Sequence, residues 1–186
     1  MPVQPKAAAV RPQTTNISPM SSEAIGAQWL YNSGLSGIVS AVWPSANLAI
    51  GYPFSVLNPS TALQMWCFNG ATAAGNLDMG IYNDDGTKLV TKGSTAQAGT
   101  SDIQLLNITD TALAPGTRYW AVLGSDSATA TFFRQTGSLN IGQIKATGVR
   151  CMAGGMSAGA LISTLTWATL SSNYLPDFGV VLASDF

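Results

Sequence analysis

Residues 76–94, NLDMGIYNDDGTKLVTKGS, carry the clearest hydrophobic–polar pattern in the chain. Leu77, Met79 and Ile81 alternate with Asp78, Gly80 and Tyr82, the period-two signature of a half-buried strand. Asn83-Asp84-Asp85-Gly86 follows with turn chemistry: Asn and Asp tolerate left-handed backbone angles and Gly adopts them without steric cost. Residues 87–91 begin a return strand. The pattern predicts a hairpin at the centre of an antiparallel β domain.

Strand-like runs recur on both sides of this hairpin. Residues 35–42 read as a strand weakened by Gly34 and Gly37. Residues 48–54 read as extended, with Pro53 indicating an edge or a strand end. Residues 62–68 are apolar at nearly every position, as expected of a strand buried on both faces. Further strands are predicted at 103–108, at 118–124 (RYWAVLG, rich in aromatic and β-branched residues) and at 128–134. Residues 110–116 read as a connection, with Pro115-Gly116 as punctuation. The terminal run 178–182, FGVVL, is apolar enough for a central strand. Short strands separated by Gly, Pro, Asn and Asp indicate an all-β sandwich or barrel.

Two regions depart from the strand pattern. Residues 1–22 hold Pro2, Pro5, Pro12 and Pro19, with Lys6 and Arg11 and no acidic residue. Proline removes backbone donors and fixes φ, so this segment is expected to be an extended N-terminal arm lying along a neighbouring subunit. Residues 23–29 have the makings of a helical turn capped by Ser22. Residues 135–177 lack periodicity. Within them, 151–161 (CMAGGMSAGAL) predicts a long ordered loop over the sandwich or into a neighbour, and 161–170 a further strand; loops this long are uncommon unless they have a task. The expected organisation is an arm, 1–22, and a β-sandwich domain, 23–186, with a Gly/Ala/Ser-rich insertion at about 135–177.

Composition narrows the function. Of 186 residues, 46% are hydrophobic and only 9% charged, with a net charge of −1. Ordinary soluble domains carry about 25% charged residues, and near-zero net charge promotes association. The balance points to a protein whose surface is largely covered by partners. There is no histidine, which removes the commonest general base and metal ligand and every Ser-His-Asp or Cys-His arrangement. No enzyme activity, cofactor or metal is expected. Asp84 and Asp85 sit at the hairpin tip and read as turn residues rather than a calcium loop, which requires acidic positions spread over 12 residues. Cys67 and Cys151 form no CxxC motif, and buried free thiols are expected. Lys and Arg total 8 without clustering, so no nucleic-acid surface is expected. No run approaches the roughly 20 apolar residues of a membrane helix, and the N-terminal segment lacks a secretory apolar core.

Two motifs carry a resemblance. Residues 77–89 follow a strand–turn–strand pattern with Gly80, Ile81, Tyr82, Asp85 and Gly86 in place. Residues 113–121 follow a second pattern with Pro115, Gly116, Tyr119 and Trp120. Together with the late FGVVL run, they make roughly residues 45–135 and the last ten resemble a family of tailed-bacteriophage virion proteins. The resemblance implies a jelly-roll-like β-sandwich, often trimeric, as in capsid decoration proteins, head fibres and tail-fibre tips. It implies a virion structural protein, assembled in the host cytoplasm, that cements the head by contacts with the major capsid protein or other virion proteins. The alternative is a receptor- or glycan-binding fibre tip, or a tail or baseplate component. Candidate partner contacts are Pro5, Arg11 and Pro12 in the arm, Trp43 and Tyr52 beside Pro44 and Pro53, and Met152 and Met156 in the late loop.

Overall fold

A computed structural model of the chain describes residues 38–135, 150–170 and 174–184. The expected arm, the helical turn at 23–29 and the first part of the late insertion lie outside the described residues.

The described chain is all-β. Its strands are β1 (Ile38–Val42), β2 (Leu48–Phe54), β3 (Ser60–Phe68), β4 (Asn76–Asn83), β5 (Lys88–Thr91), β6 (Thr95–Ala96), β7 (Ile103–Leu113), β8 (Tyr119–Ser125), β9 (Thr131–Gln135), β10 (Arg150–Met152), β11 (Met156–Ser157), β12 (Ala160–Leu161), β13 (Ala168–Thr169) and β14 (Phe178–Ser184). One layer runs β13-β10-β2-β8-β4-β5, with β6 also on β4. The other contains β14-β3-β7 and the pair β1-β9. These two pieces join through the residues ahead of β14: Asp177 N–H donates to Phe133 carbonyl (2.9 Å), and Phe68 N–H donates to Asp177 carbonyl (3.0 Å). The second layer is therefore β1-β9 set beside β14-β3-β7, and every ladder in both layers is antiparallel.

The two layers enclose one core. Alternate residues of each strand supply it: Ile50 and Phe54 from β2, Met65 and Cys67 from β3, Leu77, Met79 and Ile81 from β4, Leu123 from β8, Phe132 from β9 and Phe178 from β14. Each is essentially fully buried. The opening hairpin sits where the pattern placed it, with Gly86 at φ 86° in the turn. At the hairpin tip Asp85 accepts from the Thr87 N–H and hydroxyl, a turn role that holds its carboxyl below the usual range.

Three strand readings change. First, β4 is buried on both faces, as is β8. The sequence suggested a half-buried β4 because Asp78, Gly80 and Tyr82 look like solvent residues. Second, β3 is the reverse: Met65 and Cys67 are buried, while Trp66 and Phe68 on its other face are only half-buried. Third, β2 is not an edge strand, since β8 and β10 flank it. Pro53 is tolerated because β10 pairs only with Ala49, Ile50 and Gly51, which leaves β2 locally unpaired on that side beyond residue 51. The predicted connection at 110–116 also shortens, because β7 continues to Leu113. The late apolar run, expected to be central, instead ends its ladder: β14 pairs with β3 alone, and only residues 176–177 ahead of it reach β9. Both cysteines are free and buried, and burial pushes the Cys67 thiol up to about 12.

Candidate interaction face

The outer faces of the two layers are treated in opposite ways. The first layer's outer face is roofed by the chain itself. Residues 152–167 form a strap across β2, β8 and β4, and Met156, Leu161 and Leu165 of the strap pack with Ala49, Tyr82, Trp120 and Val122 of the sheet into a second core. Burying such Met and Leu side chains stabilises by about 1.5–3 kcal/mol each. The sheet is shaped to receive them. A Cβ on Gly124 would meet Met156 Sδ at 2.6 Å, and one on Gly51 would meet the Trp167 ring at 2.8 Å.

The strap's own turn and its hydrogen bonds fix it in place. β11 and β12 form a two-residue hairpin whose central residues, Ala158 and Gly159, have φ of 50° and 78°; two positive values match the primed turns that suit twisted strands. Leu165 N–H donates to Gly86 carbonyl (2.8 Å), and Lys88 N–H donates to Ser163 carbonyl (2.8 Å). The Tyr82 hydroxyl donates to Ile162 carbonyl. Asp78, wholly buried, accepts from Gly93 N–H on one oxygen and from Leu161 N–H on the other, each at 2.8 Å. Lys88 Nζ donates to the Leu161 carbonyl at 3.0 Å.

Burial nevertheless pushes the Asp78 carboxyl above its ordinary range; the backbone donors and Lys88 offset only part of the cost. A folded-state pKa above the unfolded one means the neutral acid is the form the fold favours. Its contribution is full below about pH 4, the unfolded value, and is lost as pH rises through the folded-state value. In Asp78→Asn this slope is expected to vanish, so urea midpoints measured from pH 3.5 upward fall in the parent and stay flatter in the variant.

Beside the strap, aromatic rings meet the hairpin tip. Trp120 stacks on Trp167 with ring centroids 4.8 Å apart, and Tyr82 meets Trp167 edge-on. Arg118 lies over Trp120 at 4.9 Å, and Asp84 Oδ1 accepts from Arg118 Nε and Trp120 Nε1, both at 3.2 Å. Trp120 is 3% exposed, so this cluster is structural packing with a charged rim.

The second layer's outer face has no such roof among the described residues. Trp66 and Phe68 of β3 stand in register with Leu105 and Ile103 of β7. Gly179 of β14 lies beside Trp66, and Phe68 packs on Phe133 of β9 with ring centroids 4.2 Å apart. Leu105 is 57% exposed, Ile103 55% and Val42 of β1 59%. Among the described residues no second core forms over these side chains. Scattered exposed apolar residues are ordinary, but a contiguous uncharged set spanning strands marks an interaction surface. Among the described residues this is the open apolar face of the fold.

The candidate contacts named from sequence fall elsewhere. Pro5, Arg11 and Pro12 lie outside the described residues. Trp43 is corrected: it is 1% exposed, packs edge-on against Phe132 and Tyr174, and donates its Nε1 to Leu48 carbonyl. The Pro44 turn that suggested exposure folds the ring inward. Tyr52 stacks on Phe178 at 4.7 Å and its hydroxyl donates to Pro176 carbonyl at 2.8 Å, so it too serves the sandwich. Met156 is buried in the second core, and half-buried Met152 packs against that core while its Sδ accepts from Thr166 N–H. Both methionines contact their own sheet, because the loop closes over its own domain. Of the residues that do form the open face, Trp66 and Phe68 were assigned from sequence to a strand buried on both faces, and Ile103 and Leu105 only to a strand.

No family model, curated protein or solved structure matches the chain. Among the described residues no group of three His, Cys, Asp or Glu side chains is placed to hold a metal ion.

Proposed function

We propose that this protein is a non-enzymatic structural component of a bacteriophage virion, a capsid decoration protein that stabilises the head through subunit–subunit contacts. The observation that carries the reading is the open apolar face of Trp66, Phe68, Ile103, Leu105 and Val42, uncharged across the named positions and backed by a rigid two-layer core. Its occupant is a neighbouring protein subunit of the shell. Apolar area removed from water contributes about 25 cal/mol per Å², and symmetric repetition over a shell multiplies a modest contact by avidity. The low charge of the chain supports the same reading.

Topology supports the jelly-roll expectation. Setting aside β10 and β14, the layers run β1-β9-β3-β7 and β2-β8-β4-β5, and the chain crosses between them after nearly every strand. We read that order as the one expected of two Greek keys wrapped into a double sheet. The two motifs behind the virion resemblance fall on β4-β5 and on the approach to β8, adjacent in the first layer.

The test is particle association. The double variant Ile103→Lys/Leu105→Lys changes two exposed side chains, so folding stability is expected to shift by no more than about 0.5 kcal/mol per site. Cosedimentation with purified particles is expected to fall to background. Undiminished binding by the variant would refute the face as the contact. Glycan-array binding by the parent protein without particle association would favour the fibre-tip alternative, which has already lost Trp43 as an accessible stacking ring.

A further inference from the structure

We propose that the outer edge of β7 is an acceptor for an added strand, and that the strand is the N-terminal arm of a second copy of this chain, residues 13–18. This rests on the assembly reading above and names one of its contacts.

The edge itself is the first observation. β7 spans Ile103–Leu113, eleven residues and the longest strand in the described chain. It pairs with β3 on one side, and among the described residues no strand pairs with its other side. β5, the edge of the facing layer, comes near without hydrogen-bonding to it. Natural proteins blunt such edges with lysine, proline, short length or cover. The sequence of β7, IQLLNITDTAL, has no lysine and no proline, and Ile103 and Leu105 are more than half exposed on it. Two of the other edges, β5 and β13, are managed. β5 has four residues, includes Lys88, and is flanked by the strap; β13 has two. Asp110 and the register shift against β3 blunt only the second half of β7, and residues 103–107 remain an open edge beside an apolar face, the arrangement used for strand addition, in which main-chain bonds give affinity and alternate side chains give specificity.

The occupant follows from where the remaining chain leaves the domain. Thirty-seven residues precede Ile38, the first residue of β1. β1 is the edge of the second layer opposite β7. The upstream segment therefore starts at the far side of its own sheet from β7, but next to the β7 of a copy placed edge to edge. Such donation is head-to-tail, the contact type that closes into a ring, and a ring of three fits the trimer implied by the virion resemblance. The 19 residues between residue 18 and Ile38 reach up to about 63 Å when extended, ample for the crossing.

Charge and local sequence agree. Residues 1–22 contain Lys6 and Arg11 and no acidic residue. The acceptor stretch, residues 95–117, contains exposed Asp102 and Asp110 and no Lys or Arg. Proline cannot donate to a ladder, and Pro12 and Pro19 bound a six-residue window free of it. That window, QTTNIS, holds the β-branched Thr14, Thr15 and Ile17. The other six-residue window between prolines in the arm, residues 6–11, is half alanine and holds one β-branched residue, Val10.

Mixed cross-linking tests this. One preparation of full-length protein carries Thr15→Cys, and a second carries Leu105→Cys or Asn107→Cys, the two positions covering a register offset. Cross-strand neighbours place Cβ atoms about 4.5–5.5 Å apart, within reach of a disulfide under mild oxidation. The native Cys67 and Cys151 are buried and serve as background. The expected result is a mixed disulfide dimer on a non-reducing denaturing gel, lost when Ile17→Pro is added to the arm partner. A control acceptor, Ala128→Cys, is exposed but lies outside β7 and should give none. Three results would overturn the proposal: no mixed dimer, equal yield at Ala128→Cys, or a chain carrying both cysteines that links only within itself. Particle association without the mixed dimer refutes strand donation alone. A mixed dimer from a protein missing from particles refutes the virion role alone.

Discussion

Trp43→Ala is expected to cost about 3–5 kcal/mol of folding stability, the range for removing a large aromatic side chain from a packed core. Against a typical total of about 5–15 kcal/mol, that loss leaves a marginal fold. The ring is 1% exposed and wedged between Phe132 of β9 and Tyr174, whose hydroxyl donates to Ala41 carbonyl of β1. Trp43 also bonds Leu48 carbonyl, and its own N–H donates to Ala130 carbonyl at 2.7 Å. The substitution therefore strikes the corner where β1 crosses to β2. Urea unfolding followed by circular dichroism reads the midpoint. A loss below about 0.5 kcal/mol, the range of a surface change, would mean that the ring does not occupy this pocket.

Trp120→Ala is expected to cost a similar about 3–5 kcal/mol and, in addition, to loosen the strap. Its indole is the floor on which Trp167 stacks, and its Nε1 reaches Asp84 at the hairpin tip. Without it the strap loses one wall of the second core. Hydrogen exchange separates this from general destabilisation. Amides of Leu161, Leu165 and Lys88, whose bonds tie the strap to Asp78 and, twice, to the hairpin, should exchange faster. Amides of β3 and β14, on the far layer, should change only as much as global stability does. Uniform acceleration across both layers would show that the strap and sandwich open as one unit.

Much of the sandwich was legible because alternation works where one face meets the core. Leu77, Met79 and Ile81 point inward as their spacing said, and the NDDG turn lies between β4 and β5. Alternation alone does not say what covers the second face. In β2 and β8 the outward residues Ala49, Gly51, Val122 and Gly124 are small or apolar rather than polar, and they make a socket for the strap. Apolar side chains on outward as well as inward positions, Trp120 among the outward ones, were the available signal for cover by the chain itself. Asp78 hid the same fact, since a buried carboxylate holding two backbone N–H groups looks in sequence like a solvent residue. In β3 and β7 the outward residues Trp66, Phe68, Ile103 and Leu105 are large, and the described chain supplies nothing small and complementary to roof them. Candidate contacts drawn from exposed-looking turns and methionines missed this face because Pro44 turns Trp43 inward and the methionine loop folds back.

The central claim is that the open face of the second layer is the assembly surface of a shell protein. An electron cryo-microscopy map of purified particles, at a resolution that separates strands, tests it most directly. The account predicts copies distributed over the head with Trp66, Phe68, Ile103 and Leu105 buried against a neighbouring subunit, and the strap side turned away from that contact. Copies confined to the tail, or head copies with this face in solvent, would contradict it.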